Sequence, residues 1–291
     1  MIFIKKYLKW LSTFLVLTGI LLTNLNMYPI NIMFSWCWSC RLDYCWVLVK
    51  RQSDTHKFWI ANPFIFNRFL SIIILMKNRI FIGEFIGSAF LVMIIVGSGI
   101  MAQNLTRDFA VMLLANTLAT GAGLFVLINS IASISGAHFN PVVTMTMYFT
   151  NKIKKDLILT YISAQILGCL LGVMLANFMF DLPLIELSRK IRPGINIFVA
   201  ELIATFGLIF IIFGTLKKGS TSVAASVATY ITAGYWFTSS TSFANPAVAL
   251  ARTFTDTFTG ISYLNTSSYI VAEIIGALLA LFIIKKIISI K

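Results

Sequence analysis

Charged residues are scarce in this chain. Only 11% of its 291 residues are Asp, Glu, Lys or Arg, and the mean hydropathy is +0.89. Soluble globular domains carry about a quarter charged residues, so the composition argues against a water-soluble protein with a single core. Acidic residues are fewest, 10 against 23 Lys and Arg, which gives a formal net charge of +13. The basic residues stand between long apolar runs and not on one polar face, which does not favour a nucleic-acid partner. The composition predicts a polytopic membrane protein.

Cysteine pairs and catalytic motifs are also lacking. The four cysteines do not make a disulfide framework. The C-x-x-C formed by Cys37 and Cys40 has no second ligand pair at zinc spacing. Neither an H-E-x-x-H motif, a paired-Asp motif nor a Ser/His motif is present. We therefore predict that the chain is not an enzyme and that it holds neither a metal nor a cofactor.

Apolar segments long enough to cross a bilayer, roughly 20 residues, recur from residue 80 onward. Three long spans accompany one short piece, and this pattern occurs twice. The long spans lie at about 80–102, 109–134, 157–180, 194–216, 221–238 and 268–288, and the short pieces at about 139–150 and 244–255.

The two halves, about 80–180 and 194–288, resemble each other residue by residue. The matches follow the same order at similar spacing, and they pair Glu84 with Glu201, Asn140 with Asn245, and Gln165 with Glu273. Three spans per repeat is an odd number, so the two repeats are expected to insert with opposite topology. Inverted repeats place the functional site near the midplane, where discontinuous helices meet.

Each short piece starts with an Asn-Pro pair. An apolar piece of this length cannot span a membrane alone. Asn is a preferred helix cap and Pro is favoured at the first helical position, so each pair predicts the start of a half-helix within the membrane. Inverted symmetry brings the two helix starts together. Their dipoles then disfavour cations at the centre, and the Asn amides can donate hydrogen bonds to a passing solute.

The segments SGAHFNPVVT (135–144) and SFANPAVALAR (242–252) resemble the two pore loops of the aquaporin, or major intrinsic protein, family. The resemblance covers about 80–288. It implies an all-α membrane protein with six transmembrane helices and two re-entrant half-helices in an inverted three-helix repeat, usually assembled as a homotetramer. It also implies passive conduction of water or small uncharged solutes.

The resemblance assigns the pore motifs and includes departures from the family pattern. The motif residues are Asn140, Pro141, Val142, Asn245, Pro246 and Ala247. Val142 stands where the family usually has Ala, and we expect a packing adjustment. Val248 stands where the family usually has a pore-narrowing arginine, and the nearest arginine is Arg252. Arg252 can turn toward the pore mouth or face the headgroups, and the tendency of arginine to snorkel favours the headgroups.

Counting along the sequence from Asn140 and Asn245 without gaps assigns the four positions that form the narrow selectivity filter in the family. These are Thr120, Ala233, Ser242 and Val248. None is aromatic and none is arginine, so we expect a wide constriction that admits glycerol-sized neutral solutes. The second loop is also similar to that of bacterial aquaporins associated with arsenic resistance. That similarity implies conduction of undissociated metalloid acids such as arsenous acid.

The carboxylates inside the spans have two interpretations. An ionisable group in a span is a functional candidate, and Glu84, Glu201 or Glu273 could serve a proton-coupled inverted-repeat transporter. The resemblance favours a second role, in which Glu84 and Glu201 brace the re-entrant loops by accepting backbone N–H groups. His138 is expected to line the pore or pack in the loop. For Glu273, protonation and pairing with a loop amide both stay open.

The basic residues also predict orientation. Most of those in the core fall on the side of Lys77 and Lys285, so both core termini are expected in the cytoplasm, with the plasma (bacterial inner) membrane as the location. Residues 76–291 form the predicted channel domain. Residues 1–75 stand outside the repeat, either as an extra anchor or as sequence upstream of a start at Met76.

Overall fold

The computed structural model describes residues 63–287, and the side chains from residue 74 onward. The chain divides into two compact units, Met1–Ile72 and Ile73–Lys291. Residues 1–62 of the predicted N-terminal extension, 1–75, lie outside the described residues. The fold below is that of the second unit, together with the helix that enters it.

The described part of the chain consists of helices and the loops that connect them, and it contains no strand. Its eight α-helices are α1 (Pro63–Leu105), α2 (Phe109–Ser135), α3 (Pro141–Phe149), α4 (Ile158–Met179), α5 (Ile195–Thr215), α6 (Ser220–Phe237), α7 (Pro246–Ala251) and α8 (Tyr263–Ile287). Single turns of 3-10 helix precede α4 and follow α5 and α7.

Five of these helices are long and apolar enough to cross a membrane, namely α1 from Ile74 onward, α2, α4, α5 and α8. The sixth long helix, α6, has 18 residues and is rich in Ser, Thr and Ala. It packs along α2 and α5. The predicted architecture of six long helices with two half-helices is confirmed.

Helix α1 is longer than its predicted span. It runs for 43 residues from Pro63, whereas the prediction starts at about residue 80. No proline or glycine interrupts residues 64–82, so nothing in the sequence ends the helix before the apolar run. Packing does begin where predicted, since residues 74–79 are exposed or half-buried and Ile80 is the first buried residue among those described.

Small residues bring the helices of each repeat together in the same way. In the first repeat a Cβ atom built on Gly168 of α4 would collide with the carbonyl oxygen of Phe85 in α1. In the second repeat a Cβ atom on Gly276 of α8 would collide with the carbonyl oxygen of Leu202 in α5. Phe85 follows Glu84 and Leu202 follows Glu201, so the two contacts are equivalent under the repeat. Close backbone approach of this kind is typical of membrane helices.

Candidate pore and its lining

The half-helices α3 and α7 both begin at an Asn-Pro pair. Asn140 caps α3, and its side-chain oxygen accepts a hydrogen bond from the Val142 N–H at 3.1 Å. Asn245 caps α7 and accepts from the Ala247 N–H at 3.1 Å. A proline occupies the first turn of each half-helix, where its missing N–H costs nothing. Local capping chemistry thus fixes where each half-helix starts.

The two capping asparagines bind each other's loop. Asn140 Nδ2 donates to the carbonyl oxygen of Ala244 at 2.7 Å, and Asn245 Nδ2 donates to the carbonyl oxygen of Phe139 at 2.8 Å. These reciprocal bonds hold the starts of α3 and α7 against each other. Each amide nitrogen carries two hydrogens, so one N–H per asparagine stays available.

The loops that lead into the half-helices have an unusual backbone. Ala137, Phe139, Thr241, Ser242 and Ala244 all have positive φ angles, between 49° and 66°. Non-glycine residues seldom adopt this region, because it costs on the order of 1 kcal/mol or more per residue, and it persists only where the surroundings impose it. The loops therefore need strong partners behind them.

Glu84 supplies those partners for the first loop. Its side chain is fully buried and accepts hydrogen bonds from the backbone N–H groups of His138 and Phe139 at 3.0 and 2.7 Å. Ser135 Oγ donates to it at 2.6 Å and Gln165 Nε2 at 2.7 Å. One carboxylate thus satisfies two loop amides that would otherwise be buried without acceptors.

Glu201 and Glu273 do the same for the second loop. Glu201 accepts from the N–H groups of Phe243 and Ala244 at 2.9 and 2.8 Å, and Glu273 accepts from the Asn245 N–H at 2.9 Å. The sequence left the partner of Glu273 open, and in the structure it is a loop amide. The second oxygen of Glu273 makes no hydrogen bond with any described residue.

One cavity runs past both asparagines. It has a volume of about 100 Å³. Most of its wall is apolar, with side chains such as Leu91, Leu124 and Ile212. Its polar positions are Thr120, His138, Asn140, Tyr235, Ser242, Asn245 and Arg252. None of the three buried glutamates lines it, because they stand behind the loops.

Three of the four predicted filter positions line this cavity, namely Thr120, Ser242 and Val248. The fourth does not, since Ala233 is exposed on the outer side of α6. Ile231 and Tyr235 of α6 line the cavity instead. Two residues along an α-helix turn through about 200°, so a counting error of two positions moves a side chain to the opposite face. Tyr235 also meets Thr120, with 3.2 Å between their hydroxyl oxygens.

Arg252 differs from expectation as well. It is only 2% exposed and lines the cavity, whereas the sequence favoured a position among the headgroups. Two contacts draw it inward. Its Nε donates to the Thr259 carbonyl oxygen at 2.5 Å, and its guanidinium carbon lies 3.4 Å from the centre of the Phe243 ring.

His138 lines the cavity wall and is held from three sides. Its ring nitrogen Nδ1 lies 3.1 Å from Thr144 Oγ1, and its ring stacks on Tyr161 with 4.6 Å between ring centres. Its backbone N–H donates to Glu84. The histidine therefore contributes both to the wall and to the bracing of the first loop.

Further positive charge lies near Arg252, on residues that do not line the cavity. Lys190, in the loop between α4 and α5, donates to the Phe258 carbonyl oxygen, and its ammonium lies 4.7 Å from the centre of the Phe258 ring. Burial, and then the charges of Arg192 and Arg252, lower the pKa of Lys190 to about 8. Lys190 and Arg192 thus add positive charge near the cavity residue Arg252.

Tyr235 and Phe243 are site residues that sequence reasoning missed. Both line the cavity. Tyr235 follows Ile231 by one helical turn on the same face of α6, a spacing that was visible in the sequence once the inward face was known. Phe243 stands next to Ser242 in the second loop, and only the packing of Arg252 on its ring shows its role.

Comparisons with known proteins agree with this geometry. A profile of the family described as Major intrinsic protein matches residues 74–284. The chain is 45% identical over 204 residues to "Aquaglyceroporin AqpS" of Rhizobium meliloti (strain 1021), covering 70% of this chain and 88% of that protein. It is 32% identical over 181 residues to "Aquaporin TIP1-1" of Arabidopsis thaliana, covering 58% of this chain and 72% of that one.

A solved structure is similar too. The aquaglyceroporin from Plasmodium falciparum superposes with a TM-score of 0.60 at 25% identity, covering 73% of this chain and 97% of that one. The family match spans most of the chain and includes both half-helices and all three glutamates that accept loop N–H groups. The chain therefore belongs to the major intrinsic protein family, whose members are membrane channels and not enzymes.

Proposed function

We propose that this chain forms a passive pore for water and small uncharged solutes, including glycerol-type polyols and undissociated metalloid acids such as arsenous acid. The observation that carries the proposal is the meeting of α3 and α7 at Asn140 and Asn245 beside one cavity. Each asparagine keeps an N–H for a passing oxygen atom. The two helix starts also bring positive dipole ends together, which disfavours cations.

The solute range follows from the cavity wall. Thr120, Ser242 and Val248 are small, and we propose that they form the narrow part together with Tyr235 in place of Ala233. The wall combines much apolar surface with a limited set of polar groups that includes both pore asparagines, which suits solutes that combine hydroxyl groups with a carbon or metalloid centre. The relative named as an aquaglyceroporin supports this range.

Stopped-flow light scattering on proteoliposomes tests the proposal. Vesicles with the protein should pass water, glycerol, urea and arsenous acid faster than empty vesicles do. Val248→Arg should lower glycerol permeability about tenfold more than water permeability, because a long side chain then fills the wall. Ala233→Val is the matched control on the exposed side of α6 and should change neither. A pore that excludes glycerol would contradict the proposed solute range.

A proton-coupled transporter is the alternative considered from the sequence. The three buried glutamates accept loop N–H groups and stand away from the cavity, which favours bracing over a proton relay. A passive pore conducts equally with and without a pH gradient across the vesicle. Solute uptake driven uphill by a proton gradient would favour the transporter.

We also infer the orientation of the pore and the membrane that contains it. Lys77, Lys285 and Lys286 stand at the same side of the core, which supports cytoplasmic termini by the positive-inside rule. The plasma (bacterial inner) membrane is the proposed location. Accessibility of a cysteine introduced at Lys285 to a membrane-impermeant thiol reagent tests this orientation, and labelling from outside intact cells would reverse it.

A further inference from the structure

The position that holds an arginine in most family members is apolar here, yet the cavity still contains an arginine. Val248 lies in the first turn of α7, and Arg252 follows directly after the helix ends at Ala251. Both side chains line the same cavity. Four residues of helix correspond to a rise of about 6 Å, so Arg252 stands about one turn farther from Asn245 than Val248 does.

The side chain of Arg252 is fixed on two sides. The Thr259 carbonyl oxygen accepts from Nε at 2.5 Å, and the Phe243 ring lies under the guanidinium at 3.4 Å. The backbone of Arg252 is tied down as well, because its carbonyl oxygen accepts from the Ile261 N–H at 3.2 Å. A planar guanidinium stacked on an aromatic face is held in one orientation, which a flexible ammonium group would not be.

The outer end of the guanidinium is free to bind. Arginine has five N–H donors, and only the Nε donor has an acceptor here. Within residues 74–287 the two terminal nitrogens of Arg252 make no hydrogen bond and no ion pair, although the residue is only 2% exposed. We call the N–H groups on these two terminal nitrogens the donor fork. A donor fork beside a cavity is suited to bind a solute that carries acceptor oxygens.

Arg192 provides a comparison within the same chain. Its guanidinium carbon lies 5.4 Å from the centre of the Phe243 ring, and its Nη1 is 3.4 Å from the Ser240 carbonyl oxygen. It does not line the cavity. Charge near Phe243 is thus shared by two arginines, but only Arg252 reaches the pore.

We propose that Arg252 is the specificity-determining residue of this pore. It supplies the donor fork that Val248 cannot, and it adds a hydrogen-bonding constriction about one helical turn from the narrow part that includes Val248. The solutes it selects are neutral molecules with two or more acceptor oxygens on adjacent atoms or on one centre, which describes polyols and undissociated oxyacids. This inference rests on the proposed function as a passive pore.

Permeability ratios in proteoliposomes test the inference. Arg252→Gln removes the charge and the donor fork, so urea, which carries only one acceptor oxygen, should gain more permeability than glycerol does. The urea-to-water ratio should rise about threefold or more, which corresponds to the loss of one hydrogen-bonding constriction. Arg252→Lys keeps the charge but loses the planar fork, and should fall between wild type and Arg252→Gln. Arg192→Gln is the matched control and should leave the ratio unchanged.

Arg252→Lys covers a loss of folding by Arg252→Gln, and the double variant Val248→Arg with Arg252→Gln tests where along the pore the arginine is needed. It moves the arginine back by one turn and should return the urea-to-water ratio to the wild-type value or below. An unchanged ratio in Arg252→Gln, or an equal rise in Arg192→Gln, would overturn the inference and leave the pore itself standing. Wild-type vesicles no more permeable than empty ones would contradict the proposed function instead.

Discussion

Glu84 and Glu201 hold equivalent positions in the two repeats, but their neighbours differ in chemistry. Gln165 donates an N–H to Glu84 at 2.7 Å. The matching residue in the second repeat is Glu273, a second carboxyl group beside Glu201. Two buried carboxyl groups side by side repel each other when both are charged, and a carboxylate offers no donor. The first loop is thus braced by an amide and a carboxylate, whereas the two carboxyl groups behind the second loop can hydrogen-bond to each other only when one of them holds a proton.

This difference predicts that Glu273→Gln stabilises the protein. The new amide can donate to Glu201 while its oxygen still accepts from the Asn245 N–H, so we expect a gain of about 1–2 kcal/mol in the free energy of unfolding. The reverse change in the first repeat, Gln165→Glu, should lose a similar amount because it removes the donor to Glu84. Thermal unfolding of the detergent-solubilised protein measures both. A lower unfolding temperature for Glu273→Gln would show that the acidic side chain is itself required.

At the scale of helices, close approach depends on glycines placed where another backbone passes. Gly276 of α8 faces the Leu202 carbonyl oxygen of α5, and Gly168 of α4 faces the Phe85 carbonyl oxygen of α1. Gly214, near the end of α5, has nothing within 4 Å of a Cβ built on it. Close helix packing therefore requires glycine at Gly168 and Gly276 but does not require it at Gly214.

These glycines allow a matched test of helix packing. Gly276→Ala should push α8 away from α5 and cost about 1–3 kcal/mol, because the clash is with backbone that cannot rotate aside. Gly214→Ala should instead gain up to about 1 kcal/mol from helix propensity. Unfolding temperatures of the two variants in one detergent compare them directly. Equal effects of the two changes would mean that the α5–α8 contact is not close packed.

Sequence reasoning succeeds where the determining chemistry is local. The starts of the half-helices follow from Asn140-Pro141 and Asn245-Pro246, whose capping preferences act within one turn. It fails where a side chain's direction depends on the rotation of a whole helix. Ala233 is exposed although counting placed it in the pore, since the path of the chain between α6 and α7 sets which face turns inward.

Arg252 shows a second limit of the sequence. Its inward direction depends on Thr259, which follows α7 in the chain, and on Phe243, which precedes it. Snorkelling describes an arginine at the edge of a lipid-facing helix. Here the chain after α7 turns back and supplies a carbonyl acceptor inside the protein, and no local pattern in the sequence indicates that return.

At the scale of the whole molecule, the outer surface of the described fold is strongly apolar. Large side chains such as Leu118, Phe125, Trp236 and Phe282 are about half exposed. Lipid tails or other copies of the chain must cover such a surface. The channel for water and small solutes is thus a bundle with an apolar exterior around its own pore.

This exterior, with the family resemblance, predicts a homotetramer in which each copy keeps a separate pore. Native mass spectrometry of the protein released from detergent should show four copies as the main species. Cysteine cross-linking at Leu118 or Trp236 would indicate which apolar faces meet. A purely monomeric protein that retains full permeability per copy would contradict the predicted assembly.

The reciprocal bonds of Asn140 and Asn245 have a mechanical consequence. Each asparagine is at once the cap of its own half-helix and the anchor of the opposite loop, so neither half-helix can shift without breaking the hydrogen bonds between the two loops. The middle of the pore is therefore held rigidly and is not suited to open and close. We therefore expect gating of this channel to act at the ends of the pore. Single side chains there can change rotamer without disturbing the hydrogen bonds at the centre.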